Sequence, residues 1–272
     1  MENNDTLPEI TLQLFQGCFE VHTKNRGVLS VLLSIQDYLK DTTNINTGPV
    51  KSLKVSVVRL VKKGSLGSVS FTWNPNLSNL REIETHNIGS LRIGCKTVPG
   101  NYNLSIFYFF ESGKIKVSGK TIDPQTASTY GEGMTQDGTE SSTDIGLQTY
   151  FDNIMDLTAQ ALGTLSTTEH FQIGMMNAGF NAGYLRGVQE MAMKASSYPD
   201  WFVRAEGQEP EINGRKFAVK LFISDKLRVS FDHFGKVQVF CAKSFSDVLK
   251  CRDIFFKYLE ECKKIGIVTT GS

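Results

Sequence analysis

The segment SGKIKVSGK at residues 112–120 has a counterpart 122 residues further on, FGKVQVFCAK at 234–243. Each is a glycine-lysine turn that leads into a strand with an apolar residue at every second position. A turn followed by strict alternation is the pattern of a β-hairpin with one buried face. Ile115 and Val117 share one face of the first strand, and Lys114, Lys116 and Ser118 share the other. Val237 and Val239 share a face of the second strand, opposite Lys236, Gln238 and Phe240. Alternation across a pleated strand therefore predicts two hairpins that each turn a lysine, amide or aromatic surface away from their core. Lysine on a strand also guards exposed edges against stray pairing, so a plain solvated face is the competing explanation.

The flanking segments repeat as well. ITLQLFQGCFEVH (10–22) alternates as a strand, GVLSVLLSIQDYLK (27–40) has helical spacing, and KSLKVSVVRLV (51–61), SLRIGCKTV (90–98) and NLSIFYFF (103–110) read as strands before the first hairpin. A helix over 145–163 closes this half. HFQIGMMNAGF (170–180) then reads as a strand and YLRGVQEMAMKAS (184–196) as a helix. Strands follow over 215–224, 227–234 and 236–242, and a last helix over 244–264 is capped by Ser244 or Ser246. The order strand, helix, strands, GK hairpin, helix occurs twice, which predicts an internal duplication. The expected fold is α+β: two antiparallel sheets with helices on one face of each. The predicted organisation is a first repeat over 1–122 with an insertion at about 64–88, an acidic Gly/Ser/Thr-rich loop over 123–144, a closing helix over 145–169, and a second repeat over 170–272.

Charge separates along the chain. The net charge is +1, but from Thr121 to His170 there is no Lys or Arg and there are eight acids. Setting that segment aside leaves about +9 on the other 222 residues. A basic body suits a polyanionic partner. The five cysteines are odd in number and form no Cys-x-x-Cys pair, which suits a reducing, intracellular setting. No run approaches the length of a membrane span, and MENNDTLPEI has no basic lead into an apolar run, so neither a membrane segment nor a secretory signal is expected. Phosphate-binding Gly-x-x-x-x-Gly-Lys-Ser/Thr, Gly-x-Ser-x-Gly and metal-spaced histidine motifs are missing. The expectation is a protein that is not an enzyme and needs no cofactor or metal.

The element order, together with Phe-x-x-Gly-Lys followed by alternating apolar residues and Ser/Thr-Gly, resembles the TATA-box-binding protein family. FESGKIKVSGK (110–120) matches best; FDHFGKVQVFCAKS (231–244) has one extra residue between its phenylalanine and the Gly-Lys pair. The likeness is closest to the divergent TATA-binding-like proteins of large cytoplasmic DNA viruses, which places the chain in a nucleus or a cytoplasmic viral factory. The resemblance implies a saddle: a curved antiparallel sheet with helices on its convex side and the minor groove of A·T-rich DNA on its concave side. Phenylalanines in that family wedge between base steps, and the unstacking cost of about a few kcal/mol per step is offset by the larger contact with bent DNA.

Carried over to this sequence, Phe110 matches a wedge of the first repeat and Phe217 one of the second. The partner of Phe217 is Phe231 by hairpin position, or Phe234 if the turn is shorter. Asn177 matches the groove-reading asparagine of the second repeat, and Ser118 replaces a groove-lining threonine. In the first repeat the asparagine position falls at Leu14, with Gln16 two residues on, and the other wedge falls near His86 or Ile88. Lys114, Lys116, Lys236, Gln238 and Phe240 line the expected underside, and Arg92 and Lys220 are placed to reach phosphates. The implied function is transcription initiation on A·T-rich double-stranded promoter DNA, with a transcription factor B-like protein and RNA polymerase subunits as partners. The alternative is a protein-interaction module that kept the fold and lost DNA binding, with the acidic loop able to lie over the basic underside.

Overall fold

The computed structural model describes residues 7–22, 27–40, 48–62, 70–73, 88–98, 100–132, 141–198, 200–207 and 218–270. The chain divides into two compact units, one formed by Leu14–Gly174 and the other by Met1–Gln13 with Met175–Ser272. They are called here the first and second unit.

The first unit contains β1 (Thr11–Glu20, whose first residues belong to the second unit), α1 (Val28–Lys40), β2 (Ser52–Lys62), β3 (Ser70–Trp73), β4 (Ile88–Val98), β5 (Asn103–Phe109), β6 (Lys114–Lys120), α2 (Pro124–Gly131) and α3 (Ser142–Ala161). Its strands lie in the order β3-β2-β4-β5-β6-β1, and the pairs are antiparallel. One face is mainly apolar: Phe15, Leu91, Ile93, Ile106, Tyr108, Ile115 and Val117 are buried. Against it lies α3, where Phe15 meets Phe151 at 4.6 Å between ring centres and Phe171 stacks on Phe151 at 5.4 Å. Burial of aromatic rings of this size is the main stabilising contribution of such a layer. Tyr150 donates from its hydroxyl to the Lys120 carbonyl at 3.2 Å, and burial raises its pKa.

A bulge in β2 sets the geometry of the opposite face. Val55 pairs with Cys95 and Val57 with Gly94, so Ser56 is an extra residue between them. The insertion reverses the alternation: Leu53 and Val58 both face the core, and Lys54 and Arg59 both face out. Ser56 Oγ donates to the Gly94 carbonyl at 2.9 Å and fixes the kink.

The second unit contains most of β7 (Gln172–Asn181), then β8 (Leu185–Arg186), α4 (Val188–Ala195), β9 (Arg204–Gly207), β10 (Ala218–Phe222), β11 (Arg228–Asp232), β12 (Lys236–Ala242), α5 (Phe245–Lys264) and β13 (Thr269–Thr270). Its main sheet runs β7-β12-β11-β10-β9, the same topological order as β1-β6-β5-β4-β2 in the first unit. Phe231 and Phe180 pack on Phe255 of α5 at 5.1 and 5.8 Å between ring centres. Ser244 caps α5 by accepting from the Asp247 backbone N–H at 3.0 Å. Each unit is therefore α+β, with helices on one face of an antiparallel sheet and the other face open among the described residues.

One expectation needs correcting. Residues 123–144 are not a loop throughout. Pro124–Gly131 form α2, capped by Asp123, whose carboxylate accepts from the Thr126 N–H at 2.9 Å and the Thr126 hydroxyl at 2.6 Å. This helix packs tightly on α3, because a side chain at Gly131 would strike the Ser142 backbone and one at Gly146 the Ala127 backbone. The N-terminal part of the acidic segment is thus docked on α3. The expected insertion at 64–88 includes β3, which pairs with β2 from Val58↔Trp73 to Val61↔Ser70; its other residues, apart from Ile88 in β4, lie outside the described set.

The hairpins also differ from expectation. Four residues separate β5 from β6, and three separate β11 from β12. The second turn is the shorter, although its Phe-to-Gly-Lys spacing is the longer. Gly113 (φ 69°) and Gly235 (φ 74°) close the turns in the left-handed region, where a side chain would be strained. Gly113 N–H donates to Phe109 over four residues, and Gly235 N–H to Asp232 over three.

Candidate nucleic-acid interface

Strand register places the open-face residues of the first unit in rows across the sheet. One row reads Arg59–Arg92–Phe107–Lys116–Cys18, and another reads Lys54–Lys96–Asn103. Between them run Val57, Gly94, Ser105, Ser118 and Gln16. Neighbouring rows are two residues apart along a strand, about 6.8 Å. A shallow hollow at one end of the middle row is lined by Ser56, Val57, Arg59, Arg92, Gly94 and Ser105. The result is a trough of mostly small side chains with cations on both sides.

Among the described residues, seven cations occupy this face: Lys54, Arg59, Arg92, Lys96, Lys114, Lys116 and Lys120. The one carboxylate that the register places among them is Glu20, opposite Lys114. Arg59 lies directly opposite Arg92, and Lys54 directly opposite Lys96. Like charges in directly opposed positions destabilise a sheet, and among the described residues none of the seven forms an ion pair. Aromatic rings interleave with them. Arg92 Cζ lies 5.0 Å from the centre of the Phe107 ring, Lys116 Nζ lies 5.8 Å from that of Phe109, and Arg92 Nη2 donates to Ser105 Oγ at 3.2 Å.

On the second unit one row reads Arg204–Phe222–Arg228–Phe240, and its neighbour Glu206–Lys220–Ser230–Gln238–Gly179. Arg204 Cζ is 4.0 Å from the Phe222 ring centre, and Arg228 Cζ is 5.9 Å from Phe222 and 5.1 Å from Phe240. Glu206 pairs with Arg204 at 3.2 Å and with Lys220 at 3.9 Å. The β12 ladder shifts register between Val239 and Ala242, with Cys241 at φ 64°. There the Asn177 side-chain oxygen accepts from the Cys241 N–H at 3.4 Å, and its amide NH₂ donates to no group among the described residues.

The residues singled out from sequence fall into several groups. Lys114, Lys116, Ser118, Arg92 and Gln16 lie together on the first open face; Lys236, Gln238, Phe240, Lys220 and Asn177 lie on the second. Phe110 is past the end of β5, in the turn, with its ring 4.7 Å from that of buried Tyr108. The rings on the open face are instead Phe107 and Phe109. Phe231 is in the core, with 1% of its surface exposed, so it cannot be a wedge. The shorter turn instead leaves Phe234 out, 49% exposed beside His233. Phe217 and His86 lie outside the described residues; Ile88 is buried.

Sequence reasoning missed Lys54, Arg59, Lys96, Lys120, Arg204, Phe222 and Arg228. Lys96 and Lys120 were readable, since they alternate in phase with Arg92 and Lys116. Lys54 and Arg59 were hidden by the bulge, which breaks the alternation in a way no local pattern announces.

No family model matches the chain, and no curated protein matches it. Among solved structures, Methanococcus jannaschii TBP aligns over 93% of this chain and 99% of its own, with a TM-score of 0.40 and 13% sequence identity. A likeness at that level assigns no role to any residue here.

Proposed function

We propose that this chain binds double-stranded A·T-rich DNA on its open sheet faces and acts in transcription initiation, as a TATA-binding-type factor. The helix-covered faces would then remain for a transcription factor B-like protein and polymerase subunits. The carrying observation is the two pairs of opposed like charges, Arg59/Arg92 and Lys54/Lys96, on a face with seven cations and a single carboxylate among the described residues. Such an arrangement costs folding free energy in the isolated protein, and a polyanion turns that cost into binding. Phe107 and Phe109 give the same face apolar rings next to cations, the combination that lies against sugars and base edges when a duplex is opened and bent. Flexible TA steps make A·T-rich sites the least costly to deform.

Two grounds for the protein-interaction alternative are weakened. The first repeat has rings on its open face despite lacking one at the expected wedge position, and the described start of the acidic segment packs on α3. Fluorescence anisotropy with a short A·T duplex over a salt series tests the proposal. The expected result is binding at low salt that weakens steeply as salt rises. Folded protein with no measurable affinity at low salt contradicts it.

A further inference from the structure

The two open faces differ in how much of their charge is committed. On the first, seven cations stand against one carboxylate among the described residues, a surplus of six. On the second, among the described residues, Arg204, Lys220, Arg228 and Lys236 stand against Glu206 and Asp232, a surplus of two. Most of the second set is also engaged within the protein. Glu206 holds Arg204 and Lys220, and the rings of Phe222 and Phe240 hold Arg228 between them. Arg228 Nε is shut off from solvent and has no hydrogen-bond partner among the described residues. A buried donor left unpaired costs folding free energy.

We propose that the faces divide the work of binding: the first unit supplies sequence-blind affinity through phosphates, and the Arg204–Phe222–Arg228–Phe240 row of the second unit discriminates base pairs. This rests on the reading of the chain as a DNA-binding protein. Phosphate contacts fix position and carry no sequence information, and Lys54, Lys96 and Lys114, which lie over no ring and in no ion pair among the described residues, suit them beside a trough of small side chains. A guanidinium held between two rings has lost its rotamer freedom beforehand, so its remaining donors meet a base edge at little further entropic cost. In the minor groove A·T pairs present acceptors alone, whereas G·C pairs add a donor. A row whose polar groups are all donors therefore favours A·T.

The test compares A·T-rich and G·C-rich duplexes by anisotropy between about 50 and 200 mM salt. Lys54→Gln with Lys96→Gln should lower the salt slope by about two and weaken both duplexes equally. Phe240→Leu and Arg228→Lys each keep the formal charge. They should leave the slope unchanged and reduce the A·T preference by about fivefold or more. Phe240 is only half-buried, so its variant does not depend on a core position. A lysine pair that alters the preference, or second-unit variants that leave it intact, overturns the division. Wild-type protein that binds both duplexes equally also overturns it while leaving DNA binding standing. Wild-type protein that binds neither removes the DNA-binding reading itself.

Discussion

Replacing Arg59 with Gln should move stability and binding in opposite directions. Arg59 faces Arg92 directly across β2 and β4, where opposed residues have Cα atoms about 4.5–5.5 Å apart. Neither guanidinium has a carboxylate partner among the described residues, so removing one charge relieves a repulsion of about 0.2–1 kcal/mol. For a unit of this size, about 0.5 kcal/mol raises Tm by roughly 1–2 °C. Binding to DNA should lose one phosphate contact, and the salt slope should fall by about 0.9. That slope converts to a loss of roughly fifteenfold near 50 mM salt and about fourfold near 200 mM. Differential scanning calorimetry reads the first effect and anisotropy the second. A variant that is less stable, or that binds as tightly as wild type, would refute the reasoning that the face stores repulsion for a polyanion.

Other substitutions separate packing from contact. Phe231→Ala should cost about 3–5 kcal/mol by urea unfolding, because its ring fills the core against Phe255, whereas Phe234→Ala should stay within about 0.5 kcal/mol. Ser244→Ala should cost about 1 kcal/mol through loss of the α5 cap. His170 is held above its ordinary pKa of 6.5 by the hydrogen bond to Asp152 at 3.0 Å and by that residue's charge. A raised folded-state pKa contributes stability that is fully present below about 6.5 and is lost as pH rises through the higher folded value. Unfolding titrations across pH 6 to 8 should show this decline, and His170→Gln should abolish it.

Much of the fold was legible because hairpins announce themselves. Gly113 and Gly235 mark left-handed turns, and the alternation of Ile115/Val117 and Val237/Val239 gives the buried face without further information. Helix α5 was readable from its capping serine and apolar spacing. The wedge positions were harder, since they depend on where a strand ends. Phe110 and Phe231 stand at similar distances from a Gly-Lys pair, yet one lies in a turn and the other in the core, because the two turns differ by a residue. A change of one residue in a β-hairpin moves every side chain to the opposite face. Composition was also misleading over 123–131. Ser, Thr and Gly read as a loop, but small side chains are what let α2 approach α3 so closely. The Arg204–Phe222–Arg228–Phe240 row could not be seen at all, because its members come from four strands and meet only through register.

Lysine footprinting with and without an A·T-rich duplex tests the central claim most directly, because it reports which face is covered. Acetylation of Lys54, Lys96, Lys114, Lys116 and Lys120 should fall when the duplex is added, while Lys263 and Lys264 at the end of α5 react as before. Protection confined to the helix lysines, or an unchanged pattern at DNA concentrations that saturate binding, would contradict the account.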